Sequence, residues 1–304
     1  MIPDLALDSH GTKRKPTRQY KFTLAGIRRQ ASQMAQHDLP DYRTVTLAFE
    51  GRIARLTLNR PDRLNALNPE MLEELLDALD RVRAREDLNA LFLQGSGRLF
   101  SAGVDLDTPF FMEHVEDSSV FSGTRLLNGQ HRVITALYEQ EVITIAALNG
   151  HACGGGGLGL AMACDMRVSV RAARFWMVPL MLDVIQDFGL SWLAQRVIGP
   201  SRAMQMAVLG QKIDAETALV WGLVNEVVDD PAALSARMDA LAAQIDGMGS
   251  DALRMMKLVL RNGERSDLRS QLGMEAVANG LTFQSDEFKH KKAAYLAALK
   301  DARK

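Results

Sequence analysis

The chain has 304 residues, a formal net charge of −1 at pH 7 and 47% hydrophobic residues, which predicts a globular protein with one large core. No apolar run approaches the roughly 18 residues of a membrane-spanning helix, which excludes the usual helical membrane protein. Two cysteines cannot form a disulfide framework and the N-terminus lacks the apolar stretch of a secretory signal, so we expect a cytoplasmic protein.

Residues 1–42 differ in charge from the rest of the chain. They contain seven Lys or Arg and four Asp, a balance of +3, which leaves −4 for the remainder of a chain whose net charge is −1. We interpret this segment as a basic N-terminal extension, either solvated or lying on a neighbouring subunit. A nucleic-acid-binding arm is the alternative, and we do not favour it.

Strand and helix patterns alternate through the middle of the chain. Alternating apolar residues predict a hairpin that turns at Glu50 and Gly51. Asn68 can cap a helix that has Pro69 at its first position. Apolar runs predict further strands at 90–94, 142–148 and 166–170, and the chain is predominantly helical after residue 189. Strands alternating with helices indicate an α/β core.

The most distinctive stretch is ALNGHACGGGGLGLAMACD, residues 147–165. Its order predicts a strand, a glycine loop and a buried helix, and the loop can bind an anion or oxyanion through free backbone N–H groups. Gly154, Gly156 and Gly159 also fit the dinucleotide-binding pattern G-x-G-x-x-G. The turn before them is too long for that pattern, and no acidic residue ends the next strand, which argues against a dinucleotide site.

A second segment, LFSAGVDL at residues 99–106, supplies another backbone donor. Ser101, Ala102 and Gly103 are small enough to let the N–H group of Val104 face a ligand. One donor from each segment could bind the same thioester carbonyl oxygen. In known oxyanion holes, each donor stabilises the transition state by about 3 kcal/mol.

These residues resemble the crotonase, or enoyl-CoA hydratase/isomerase, superfamily across residues 43–304. Five segments match in the family's order: LTLNRPDRLNALNPEM, FSAGVDL, ALNGHACGGGGLGLAMACD, FGLSWLAQRVIG and ALVWGLVNEVV. The resemblance implies a spiral of ββα units over residues 43–200 and a helical C-terminal trimerisation region over residues 201–304. It also implies a homotrimer or a dimer of trimers, without a membrane or nucleic-acid partner.

The resemblance further implies an acyl-CoA thioester substrate, with coenzyme A as its carrier and no redox or metal cofactor. The family's two oxyanion donors match Val104 and Gly156, with Gly155 as an alternative because this loop has one glycine more than usual. The coenzyme A contacts then match Arg60, Arg63, Asn65, Ala66, Leu67, Ala102, Val104, Asp105, Leu106 and Gly155, with Phe283 and Lys289 contributed by a neighbouring subunit.

The carboxylates distinguish between reactions. Family hydratases use two acids, but the matching positions here are Gly159 and Pro179. Asp187 matches the catalytic Asp of isomerase-type members, since the segment from Phe175 to Gly199 has the family's length. The alternative from residue chemistry is that Asp187 only caps the following helix.

We therefore predict an isomerase that shifts a double bond, with Asp187 moving the proton. The alternatives are an atypical hydratase, a hydrolase or dehalogenase that uses Asp187 as a nucleophile, and a non-catalytic CoA-thioester or RNA-binding homologue. Asp183 could share a helical face with Asp187, and Glu113, His114 or Glu116 could act as an auxiliary acid or base. For these four residues, and for His151 in the glycine stretch, we favour surface or packing roles.

Overall fold

The computed structural model describes residues 39–108 and 119–301. The strands in this part of the chain are β1 (Val45–Glu50), β2 (Ile53–Leu58), β3 (Ala90–Gly95), β4 (Ile143–Leu148), β5 (Ala152–Cys153), β6 (Met166–Val170), β7 (Arg174–Trp176), β8 (Ile213–Asp214) and β9 (Glu226–Val228). The helices are α1 (Pro69–Arg83), α2 (Val120–Tyr138), α3 (Gly154–Ala163), α4 (Leu190–Ile198), α5 (Pro200–Leu209), α6 (Ala215–Trp221), α7 (Pro231–Asp246), α8 (Ser250–Gly263), α9 (Leu268–Thr282) and α10 (Asp286–Asp301).

The strands form two sheets. The larger has the order β1-β2-β3-β4-β6-β9, in which β1 and β2 are antiparallel and the later pairs are parallel. The smaller has the order β5-β7-β8. Strand β4 of the larger sheet and β5 of the smaller sheet precede α3. In the same way, β6 of the larger sheet and β7 of the smaller sheet precede α4. This arrangement agrees with the ββα units expected from the sequence.

Burial follows from each strand's position in the larger sheet. The apolar strands β3 and β4 have parallel neighbours on both sides and are buried over almost their whole length. The edge strand β1 alternates buried with more exposed residues, since one of its faces lies towards solvent. The predicted hairpin at Glu50 and Gly51 is confirmed by the β1–β2 register, which pairs Glu50 with Ile53.

The helix predicted after Asn68 is confirmed. The Asn68 side chain accepts a hydrogen bond from the Met71 amide at 3.0 Å, and Pro69 occupies the first helical position. Buried residues recur along one face of α1 and pack into the core: Met71, Leu72, Leu75, Ala78, Leu79 and Val82. The amphipathic pattern therefore determines which face of α1 is buried.

The prediction of a glycine loop is wrong in one respect. Helix α3 begins at Gly154, directly after β5, so the glycines form the first helical turn. The reason is close packing against the segment before Val104: a Cβ on Gly157 would lie 2.6 Å from the carbonyl oxygen of Ser101. Only glycines allow a helix to begin this close to another backbone.

The C-terminal helices follow β9, and α8 is attached to the core by an ion-pair network. Asp165 contacts Lys257 and Arg261 of α8 at 2.7 Å each and also accepts hydrogen bonds from Thr144 of β4. Among the helices that the structure describes, none is long and apolar enough to cross a membrane. Residues 1–38 of the basic extension, and Glu113, His114 and Glu116, lie outside the described residues.

Candidate functional site

The strand-like segment around Val104 pairs with the chain near Leu67. The Leu67 amide donates to the Gly103 carbonyl at 2.7 Å, and the Asp105 amide donates to the Leu67 carbonyl at 2.9 Å. In a parallel bridge of this kind, the intervening residue directs its own N–H group away from its partner. The amide of Val104 is therefore not used by this pairing.

The first turn of α3 lies against the same segment. The N–H groups of a first helical turn have no intrahelical acceptor, so those of Gly155 and Gly156 are available to a ligand. A Cβ on Gly156 would lie 3.4 Å from the carbonyl carbon of Gly103, which is bonded to the Val104 nitrogen. The structure thus brings the two predicted oxyanion donors together.

The carboxylate of Asp187 lies beside the first turn of α3. A Cβ added to Gly155 would overlap the Asp187 carboxylate, so the carboxylate contacts the helix backbone directly. Its Oδ1 atom is buried and has no hydrogen-bond partner in the described part of the chain. Burial raises the pKa of Asp187, and the charge of His131 offsets part of that rise.

Asp187 does not act as a helix cap. The N-cap residue of α4 is Gly189, and the structure records no side-chain capping bond there. Phe188, between them, is fully buried and has a φ of 46°, in the left-handed region that costs a bulky residue about 1–3 kcal/mol. The strained residue therefore directly follows the residue whose carboxylate contacts Gly155.

The predicted coenzyme A loop is organised by internal contacts. The Arg60 guanidinium pairs with the buried Asp105 at 3.0 Å and also donates to the Ala66 carbonyl. The side chain of Asn65 is fully buried and donates to the carbonyl groups of Ser96 and Leu99 at 2.8 and 2.9 Å. The observed contacts of Arg60 and Asn65 therefore hold the loop in shape.

The other residues matched to coenzyme A fall into two groups. Arg63 and Leu106 are exposed beside this loop, whereas Leu67 is buried and Ala102 donates its amide to the Leu64 carbonyl at 3.0 Å. Phe283 directly follows α9 and packs on Phe288, and Lys289 lies on α10 and pairs with Asp286. In the described residues, neither has a recorded contact with Asp187 or the glycine turn.

The remaining candidates have packing or surface positions. Asp183 is exposed and ends a short 3-10 helix, and residues 184–187 are not helical, so Asp183 and Asp187 share no helical face. His151 accepts a hydrogen bond from the Arg174 amide at 3.1 Å and packs on Trp176, while burial lowers its pKa. Within the described residues, no group of three His, Cys, Asp or Glu could hold a metal ion.

Sequence reasoning missed two residues near the carboxylate. Buried polar atoms with no hydrogen-bond partner in residues 39–108 and 119–301 occur on His131 and Gln186 as well as on Asp187. Gln186 is adjacent to Asp187 in the chain, and His131 lies next to the buried residue Gln130 on α2. Polar residues beside the apolar face of an amphipathic helix were the available signal.

The sequence matches proteins of one well-defined group. The profile of the enoyl-CoA hydratase/isomerase family matches residues 48–302. The chain is 33% identical over 250 residues to 1,2-epoxyphenylacetyl-CoA isomerase from Escherichia coli (strain K12), covering 82% of this chain and 93% of that protein. It is also 33% identical over 256 residues to crotonyl-CoA hydratase from Syntrophomonas wolfei, covering 84% and 95%.

The fold also matches a solved structure. The crystal structure of an enoyl-CoA hydratase from Bacillus anthracis aligns with a TM-score of 0.77 and 26% identity, over 84% of this chain and 97% of that one. This match confirms the expected α/β spiral with its helical C-terminal region. The relatives include an isomerase and a hydratase at equal identity, so relatedness alone does not select the reaction.

Proposed function

We propose that this chain, which belongs to the enoyl-CoA hydratase/isomerase family, is an isomerase that shifts a double bond in an acyl-CoA thioester. The observation that carries the proposal is the position of Asp187. Its buried carboxylate contacts Gly155, next to the amides of Val104 and Gly156 that can bind a thioester oxygen. A base and an oxyanion site in contact are the two requirements for enolate chemistry.

The reaction follows from this arrangement. With the thioester oxygen bound by the Val104 and Gly156 amides, Asp187 removes a proton from a carbon next to the unsaturation. The electrons of that C–H bond move into a dienolate whose negative charge lies on the bound oxygen. The protonated Asp187 then returns the proton to another carbon, and the double bond ends in a new position.

The sites of the two hydratase acids support an isomerase over an ordinary hydratase. At Gly159, a Cβ would lie 2.7 Å from the carbonyl oxygen of Phe188, so the backbone there leaves no room for a glutamate. Pro179 is buried at the start of a 3-10 helix. Neither position offers a carboxylate to activate water, and Asp187 would have to perform that step alone.

Coenzyme A is the proposed carrier part of the substrate. The loop from Arg60 to Leu67 is joined to the Val104 segment through the Arg60–Asp105 ion pair and the Leu67 bridge. Binding of the carrier at this loop would therefore place a thioester beside Val104. Arg63 is the arginine of the loop whose side chain is half exposed, and it is our candidate for contact with a phosphate group.

An assembly of three chains, or of two such trimers, is the proposed oligomer. Large apolar side chains of α8 and α9 are exposed in the single chain: Met256, Leu258, Leu260, Leu268, Leu272, Val277 and Leu281. An apolar surface of this extent is typical of a subunit interface. The same interface would bring Phe283 and Lys289 towards a neighbouring subunit's coenzyme A. A cytoplasmic location stays a prediction.

Proton exchange in deuterated water tests this function. The protein is incubated with 2-enoyl, 3-enoyl and aryl-acetyl CoA thioesters, and deuterium at the α and γ carbons is followed by NMR. We expect exchange with at least one thioester and a loss of about 10²–10⁴-fold in Asp187→Asn, the usual contribution of a general base. Asp183→Asn, which removes an exposed carboxylate four residues earlier, is the control and should exchange normally.

Other outcomes would replace the proposal. Exchange that survives Asp187→Asn would remove the residue from its proposed role. Cleavage of the thioester bond, or of the carbon–halogen bond of an aryl-CoA halide, without proton exchange would favour the hydrolase or dehalogenase alternative, with Asp187 as nucleophile. Thioester binding without any reaction would favour a non-catalytic protein. Salt-sensitive RNA binding that disappears when residues 1–42 are deleted would indicate the nucleic-acid arm.

A further inference from the structure

His131 lies on α2 and packs against the segment that carries Asp187. Its ring makes an edge contact with the ring of Phe188, with 5.5 Å between centroids and 73° between planes. One turn later on α2, Ile134 reaches the same segment, because its Cγ2 atom lies 3.4 Å from the Cβ position of Gly189. Helix α2 therefore supports the Asp187 segment from one side.

The polar atoms at this contact are buried without partners. They are Nε2 of His131, Oδ1 of Asp187, and both amide atoms of Gln186, none of which has a hydrogen-bond partner among the described residues. A buried polar atom without a partner destabilises the folded protein, because it has lost its hydrogen bonds to water. A group of them in neighbouring residues calls for a functional explanation, since native proteins satisfy most buried polar groups.

Among the described residues, His131 is the side chain whose charge affects the pKa of Asp187. Helix α3, which forms the opposite side, carries no charged side chain. The other charged side chains on α2, on α4 and in the segment that precedes α4 are exposed, apart from Asp187 itself: Arg125 and Arg132 on α2, Asp183 before α4, and Arg196 on α4. Residues 109–118 lie outside the described part of the chain.

We infer that His131 is a positioning residue that keeps the half-buried Asp187 carboxylate ionised and ready to accept a substrate proton. This inference rests on the proposed function, in which Asp187 is the base. It assigns no contact between His131 and the substrate. His131 acts through Asp187, across the α2 contact with Phe188.

The electrostatics of the site agree with this role. Burial raises the pKa of Asp187, which would leave more of the carboxyl group protonated and unable to act as a base. The positive charge of His131 lowers the pKa of Asp187, and within the described residues no other charged group has a resolved effect on it. Loss of His131 should therefore raise the pKa of Asp187.

The pH dependence of α-proton exchange tests the inference. We expect the acidic limb of the rate profile to move to higher pH in His131→Gln. Below the limb, each pH unit of movement corresponds to about a tenfold loss of rate. His131→Lys restores a positive charge and should return the limb towards its original pH. Arg132→Gln removes the neighbouring cation of the same helix and should leave the limb unchanged.

A second measurement does not depend on turnover. The carboxyl carbon of Asp187 is observed by NMR in protein labelled with ¹³C-aspartate, and its signal is assigned by its loss in Asp187→Asn. We expect the titration midpoint of Asp187 to be higher in His131→Gln than in the original protein. Circular dichroism confirms that each variant is folded.

The outcomes separate the two hypotheses. A lower exchange rate in folded His131→Gln, with the acidic limb and the Asp187 midpoint both unchanged, would overturn the role of His131 and leave the isomerase proposal intact. Exchange that survives Asp187→Asn would instead overturn the proposed function in its assignment of Asp187 as the base. If His131→Gln does not fold, His131→Lys decides, because an Asp187 midpoint far above that of the original protein would contradict the charge argument.

Discussion

Single residues around the site adopt costly conformations. The described non-glycine residues with positive φ are Leu64, Asn65, Asp183 and Phe188. Two lie in the proposed coenzyme A loop and two are within four residues of Asp187. Backbone strain of this kind persists where the surrounding fold imposes it, and it concentrates at functional sites. Phe188, which directly follows Asp187, is the bulky residue among those at the carboxylate.

Asp187 itself should destabilise the folded protein at neutral pH. Burial raises its pKa above the unfolded value, so its contribution to stability is present in acid and is lost as pH rises through the folded-state pKa. We expect Asp187→Asn to have a higher free energy of unfolding than the original protein at pH 7. The difference should vanish below about pH 4, near the ordinary pKa of Asp.

Urea unfolding at several pH values measures this difference. Asp183→Asn is the matched control, since its side chain is exposed and its replacement should not change the pH dependence. An Asp187→Asn protein that is no more stable than the original at pH 7 would contradict our account of the buried carboxylate.

Two helices illustrate what local sequence can and cannot specify at the scale of elements. Helix α1 has a capping Asn, a Pro at its first position and an apolar face, so its start follows from its own residues. Helix α3 begins with four glycines, which have poor helix propensity. It begins at Gly154 because the Val104 segment requires a backbone without side chains at close range.

Helix α8 depends on a buried charge network that gives a second prediction. Asp165→Asn would leave Lys257 and Arg261 without their counter-ion, and breaking a buried pair costs about 3–5 kcal/mol. Burial opposes ionisation of Asp165, but Lys257 and Arg261 outweigh it and lower its pKa. The stability it contributes is therefore present at neutral pH and lost as pH falls through the folded-state pKa.

Denaturant unfolding of Asp165→Asn at pH 7, and again in acid, checks both parts of this prediction. We expect Asp165→Asn to be less stable than the original protein at pH 7. This difference should shrink in acid, because the Asp165 carboxylate of the original protein then becomes protonated. Asp286→Asn breaks an exposed pair with Lys289 and should cost little, since exposed pairs contribute little. A loss at Asp165 no larger than at Asp286 would show that the network does not hold α8.

At the scale of the whole molecule, the exposed apolar residues of α8 and α9 predict self-association. We expect light scattering after gel filtration to give the mass of three or six chains. Leu281→Glu places a charge in the proposed interface at a side chain that is 60% exposed, so it should lower the mass towards one chain without unfolding it.

Ala240→Glu provides the comparison for that variant. It introduces the same charge at an exposed position of α7, away from the proposed interface, and should keep the original mass. A single-chain mass for the original protein would exclude the trimer and the dimer of trimers. It would also leave Phe283 and Lys289 without the neighbouring site that we assign to them.

The sequence by itself determined the family, the α/β class of the fold and the positions of its longer strands, but not the short strands β5, β7, β8 and β9. Periodic patterns and capping residues act over a few neighbouring positions, which is why the β1–β2 hairpin and helix α1 were predictable. The glycine stretch and the Val104 segment indicated an oxyanion site because each carries its own unusual composition. Asp187 was found through its spacing within a family segment.

Only the tertiary structure decided what surrounds the carboxylate. His131 is 56 positions from Asp187 in the chain, and its place beside the apolar face of α2 does not indicate which segment it contacts. Folding packs it against Phe188. Likewise, the sequence did not indicate that Arg60 pairs with Asp105, and its contact with coenzyme A stays a prediction. Burial and pairing of charges depend on contacts between distant segments, and these contacts determine whether Asp187 can be ionised.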